Sequence, residues 1–78
     1  MRDGYKITEI RFNGGTMHLT IDGGKKNVPL KDCSVKLLNA SEVQRNLYKI
    51  SPSGYGIHWP LIDEDLAVDA LLKIAESK

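Results

Sequence analysis

The sequence holds a single cysteine, Cys33, so no disulfide can close within the chain. Cys33 also lacks a CxxC partner and a neighbouring histidine, which argues against a redox centre. Histidine is scarce too: His18 and His58 are the only two, and they stand far apart in the chain. Metal sites need three or four convergent ligands, so neither a metal nor a cofactor is expected. No apolar run approaches the ~20 residues that span a bilayer. Gly14-Gly15 and Gly23-Gly24 do not precede a helix, which excludes a phosphate-cradling loop, and no serine lies in a Gly-x-Ser-x-Gly setting. Charge of one sign is also missing. Eleven basic residues against ten acidic ones give a net charge of +1, and Lys25-Lys26 is the only adjacent basic pair. Nucleic-acid binding through this chain alone is therefore not expected. The start, Met1-Arg2-Asp3-Gly4-Tyr5, has one basic residue and no apolar stretch behind it, so no leader and a cytoplasmic location are expected.

What is present fits one domain spanning 1–78. The hydrophobic fraction is 41% and the charged fraction 27%, both in the ordinary globular range. A chain of 78 residues rests on one modest core. The first thirty residues read as a three-stranded meander. Asn13-Gly14-Gly15 and Asp22-Gly23-Gly24 tolerate the positive φ that tight hairpin turns need. Between them Thr16 to Ile21 alternates, with Met17, Leu19 and Ile21 on one face. The flanking strands are Tyr5 to Phe12, which changes phase between Ile7 and Ile10 and so carries a bulge or strong twist, and Lys26 to Leu30. Pro29 places this third strand at an edge or near its own end.

Lys31 to Asn39 predicts a short, irregular turn or helix. Ser41-Glu42-Val43-Gln44 fits a capping box opening a short helix that sets Val43 and Leu47 on one face. Leu47 to Ile50 reads as a strand, Ser51-Pro52-Ser53-Gly54 as a type I turn, and Tyr55 to Trp59 as a further strand ended by Pro60. Tyr55, Ile57 and Trp59 share a face, with Gly56 and His58 opposite. After the acidic Asp63-Glu64-Asp65, a helix is expected from about Leu66 to Glu76. Its buried stripe is Leu71, Ile74 and Ala75, with Leu66 or Val68 and Leu72 at the margin. The expected fold is α+β, a small antiparallel sheet in the order roughly βββ-α-ββ-α, with the C-terminal helix packed on one face.

The stretch Tyr55-Gly56-Ile57-His58-Trp59-Pro60, followed by Asp63-Glu64-Asp65 and a short amphipathic helix, resembles the signature of a bacterial family catalogued as domain of unknown function 2442. Val28-Pro29-Leu30 and Asn39-Ala40-Ser41 match that family's layout, and the resemblance covers nearly the whole chain. The family has no established activity. Its members are often encoded beside a second small uncharacterised family, in pairs proposed as toxin–antitoxin modules. Some longer relatives carry a helix-turn-helix domain, for which the 78 residues leave no room. Ala67 stands where relatives often have a capping Ser, so Asp65 or Asp63 is expected to cap the last helix.

The expectation is therefore a non-enzymatic protein-interaction module, in one form the antitoxin-like member of a two-protein system. It would act as a homodimer or with a small protein partner. Tyr55, His58, Trp59, Pro60, Asp63, Glu64 and Asp65 are the candidate interaction surface. Trp59 reads either as core or as an interface anchor. The alternatives are a minimal metal protein or hydrolase-like enzyme using His58 and nearby carboxylates, and a DNA-linked regulator lacking its own helix-turn-helix.

Overall fold

The computed structural model describes residues 4–76. Met1 to Asp3, read above for a leader, and the terminal Lys78 lie outside the described residues. Three strands, β1 (Ile7–Asn13), β2 (Thr16–Ile21) and β3 (Gly24–Pro29), form an antiparallel meander. Both hairpins close on two residues, since Asn13 faces Thr16 and Ile21 faces Gly24. Asp22 and Gly23 have φ of 52° and 84°, the two positive values that a tight, right-twisted hairpin requires. The predicted phase change in β1 is a register shift between Ile7 and Glu9, which puts Ile10 into the core. β3 is the edge strand that Pro29 indicated, and it ends there.

Three short helices follow: α1 (Leu30–Cys33), α2 (Val35–Leu38) and α3 (Glu42–Asn46). Ser34 caps α2 by accepting the Leu37 N–H at 3.1 Å. The expected capping box opens α3: Gln44 N–H donates to Ser41 Oγ at 3.2 Å, and Ser41 N–H donates to Gln44 Oε1 at 2.9 Å.

A second antiparallel sheet holds β4 (Lys49–Ile50), β5 (Gly56–Trp59) and β6 (Glu64–Ala67), with β5 in the middle. The Ser51–Gly54 turn closes with Gly54 N–H donating to Ser51 O at 2.9 Å. Gly54 has φ 77°, and a Cβ there would lie 1.7 Å from Tyr5 O, so the N-terminal segment can pass against the turn only because the site is glycine. The last helix, α4 (Val68–Glu76), packs against β3, β6 and α1. It buries Val68 and Leu71, with Leu72, Ile74 and Ala75 only partly buried, so the buried stripe centres on Val68 and Leu71, Val68 having been expected at its margin.

The class is α+β as expected, with two differences in detail. The meander and the Tyr48–Trp59 hairpin do not share one sheet; each belongs to a sheet of three strands. The acidic segment also does not cap a helix. Glu64 to Ala67 is strand β6, paired with β5 through Trp59↔Glu64, His58↔Asp65, Ile57↔Leu66 and Gly56↔Ala67. The physical reason is that β5 has a second row of backbone N–H and C=O groups, which β6 satisfies. α4 then starts two residues later than expected, and Val68 N–H donates to Tyr55 O at 2.8 Å.

One hydrophobic cluster serves both sheets. It joins Ile10, Met17, Leu19, Ile21 and Val28 of the meander to Leu30, Leu37, Ile57, Trp59, Val68 and Leu71. Arg45, on α3, ties the parts together. Its guanidinium donates to Leu37 O (2.9 Å), Leu38 O (3.0 Å) and Gly14 O (2.8 Å), and lies 5.7 Å from the Phe12 ring centre. Its own carbonyl accepts Trp59 Nε1–H at 2.9 Å. Arg45→Ala should destabilise the fold by about 3 kcal/mol, since three charge-assisted bonds are lost and Leu38 O and Gly14 O lose the donor Arg45 gives them. Arg45→Lys should recover less than half of that loss, because an ammonium cannot present three donors in a planar fork. Thermal melts followed by the fluorescence of Trp59 would check both.

Candidate functional site

β5 places its residues on two faces, and the pairing register decides which groups meet. Ile57 and Trp59 point into the core, joined from β6 by half-buried Leu66 and Glu64. Trp59 is 0% exposed, so it is core and not a surface anchor. Its ring sits 6.3 Å from that of Tyr48. Glu64 accepts Ser34 Oγ–H at 2.6 Å, which fixes β6 to the start of α2.

The opposite face of this sheet is open. Lys49, His58 and Asp65 form a row across the three strands, since Lys49 faces His58 and His58 faces Asp65. His58 Nδ1 lies 2.7 Å from Asp65 Oδ1. The next row is small: Gly56 faces Ala67, and Gly56 N–H donates to Ser51 Oγ at 3.1 Å. The strip of low side chains leaves a groove of about 710 Å³ over the sheet, bounded by Pro52 and Tyr55. Tyr55 is 41% exposed and meets Tyr5 edge to face at 5.5 Å between ring centres.

Of the residues picked from the sequence, Tyr55, His58 and Asp65 line this groove. Trp59 and Glu64 belong to the other face. Pro60 and Asp63 lie on the 60–63 turn between β5 and β6, where Asp63 has φ 51° and its carbonyl accepts Lys36 Nζ–H at 3.1 Å. Sequence reasoning missed Lys49, Gly56 and Ala67 as parts of one surface. The Gly56–Ala67 pairing could be found only after β6 was recognised as a strand.

His18 and His58 do not share a site. His18 lies on the meander with Nδ1 2.7 Å from Asn27 Oδ1. Among the described residues, no group of three or more His, Cys, Asp and Glu side chains is placed to hold a metal ion. Among them, too, no helix is long and apolar enough to cross a membrane.

The Cys33 thiol is pushed up to about 11 by burial, reinforced by the nearby Glu64 and Asp32 carboxylates. The sign follows: an acid harder to ionise when folded leaves stability intact below its ordinary value near 9 and erodes it as pH rises toward 11. Native Cys33 should react with iodoacetamide on the order of 100-fold more slowly at pH 8 than the urea-unfolded chain, because the thiolate fraction falls tenfold per unit. Mass spectrometry of timed aliquots reads this directly.

A family model described as protein of unknown function DUF2442 matches residues 7–77. No curated protein and no solved structure matches the chain.

Proposed function

The chain belongs to the DUF2442 family, and we propose that it is a non-enzymatic protein-interaction module whose docking surface is the open face of the second sheet. The observation that carries this reading is the groove over Gly56 and Ala67. A three-stranded sheet has one face packed on the core, and the other bears a floor of small residues edged by Pro52 and Tyr55. Low side chains on a sheet let another backbone or apolar surface come close, and Tyr and Pro at the margin supply contact area at little entropic cost. Exposed polar groups on the same face, Lys49 and Asp65, can fix orientation. The antitoxin-like role in a two-protein pair is one form of this module, and it rests on the family resemblance alone.

The test is a block of the floor. Ala67→Arg fills the groove from an exposed position and should change stability by less than about 0.5 kcal/mol. If the face docks the protein encoded by a neighbouring gene, titration calorimetry should show binding by the parent chain and none by Ala67→Arg. Equal binding by both would remove the face from the function.

A second reading is favoured by one contact, the His58–Asp65 pair at 2.7 Å. A carboxylate on Nδ1 orients an imidazole as a general base requires, and leaves Nε2 as its remaining polar atom. Ser51 Oγ, also on the groove, is engaged by Gly56 N–H. Turnover of an activated ester, lost in His58→Ala and retained in Ala67→Arg, would favour this hydrolase-like reading over docking.

A further inference from the structure

The geometry points to a second copy of this chain as the occupant of the open face, packed sheet against sheet about a two-fold axis running along β5. This inference rests on the docking reading above and names its partner. The outer row carries opposite charge at its two ends: Lys49 on the β4 edge, Asp65 on the β6 edge, and His58 between them. A two-fold axis parallel to β5, midway between two facing sheets, sets β4 of one copy over β6 of the other. Lys49 then lies over Asp65 of the second copy, and Asp65 over its Lys49, so one surface supplies both ion pairs. Such self-complementarity is what an isologous interface demands. No rotation about the sheet normal, and no second copy turned end over end, opposes both charges in this way.

Shape agrees with charge. The same axis carries the Ser51–Pro52 side of one copy over Ala67 of the other, a raised margin over a low floor, while the Gly56 backbones meet near the axis. Asp65 uses Oδ1 on His58, yet its side chain stays 77% exposed, so Oδ2 is open to an ammonium. The overall charge of +1 puts little repulsion between copies. The face is small. Three strands about 4.8 Å apart, two of four residues and the β4 edge of two, cover far less than the ~800 Å² per partner of a standard interface, so self-association is expected to be weak, with Kd on the order of 100 µM.

Sedimentation equilibrium from ~10 µM to ~1 mM, read with amide shifts on dilution, tests the proposal. Wild type should pass from monomer to dimer, with concentration-dependent shifts at Gly56, His58 and Ala67. Lys49→Glu, which leaves His58–Asp65 intact, should weaken the dimer at least ~10-fold, as should Asp65→Lys, and equal mixtures of the two should restore it. The Lys49→Glu arm stands alone if Asp65→Lys fails to fold. Dimerisation of wild type should also weaken between ~0.05 and ~1 M salt. A wild type that stays monomeric throughout overturns the second copy but leaves the docking face to be judged by Ala67→Arg and the neighbouring gene product. A dimer indifferent to Lys49→Glu, with its shifts elsewhere, overturns the second copy at this face.

Discussion

Arg45 is the contact on which the two sheets depend. No strand of the meander pairs with a strand of the β4–β5–β6 sheet, and the segment before β1 reaches the second sheet only at its turn, where Tyr5 N–H donates to Ser53 O at 3.0 Å. They share a core, but burial is non-directional and does not fix how two small sheets are oriented. Arg45 supplies the direction. One end of the residue reaches the first hairpin at Gly14 and the ends of α2 at Leu37 and Leu38, and its carbonyl takes the indole N–H of Trp59 on β5. The planar guanidinium supplies a donor to Leu38 O and adds one to Leu37 O, which also accepts Ala40 N–H at 3.2 Å, and a cation is favoured at this helix end by the helix dipole. Helix α3 buries none of its five residues. It is held by its capping box and by Arg45, which explains why Val43, 72% exposed, can face solvent without loss of the helix.

How much could be read from the sequence follows from the range of each interaction. The hairpins at Gly14 and Asp22-Gly23, the Ser41–Gln44 box and the alternation of Met17, Leu19 and Ile21 are all local, and local rules found them. The bulge near Ile7 was legible because two apolar positions fell out of phase. β6 was not. Asp63, Glu64 and Asp65 satisfy the local rule for a helix start, yet each bonds elsewhere instead: Asp63 O with distant Lys36, Glu64 with distant Ser34, and Asp65 across the β5–β6 hairpin with His58. Tertiary pairing overrode propensity, because an unpaired edge of β5 would leave backbone groups unsatisfied beside the core. Arg45 was equally invisible, since nothing local distinguishes an arginine that gathers carbonyls from one that is solvated.

Trp59 shows the same limit from the other side. A tryptophan in a strand next to a proline reads as either core or anchor. The structure assigns it to the core through a partner fourteen residues away, the Arg45 carbonyl. A buried indole needs a hydrogen-bond acceptor, and here the backbone of an otherwise exposed helix provides it. The consequence reaches the open face. Because Trp59 and Ile57 face inward, strict alternation turns His58 and Gly56 outward, and pairing with β6 adds Asp65 and Ala67 beside them.

The open face is therefore shaped by what lies beneath it. Gly56 opens the central strand β5. At Gly56 a Cβ would meet nothing closer than Leu66 O at 3.8 Å, so packing within the chain does not demand glycine there. Nor does its backbone require it, since Gly56 is not among the positive-φ glycines. This sets it apart from Gly54, where a Cβ would collide with Tyr5. What the bare position does provide is close approach from outside the sheet, opposite Ala67 and beside the charged row. On the docking reading proposed above, this bare position is where a partner would come nearest the sheet.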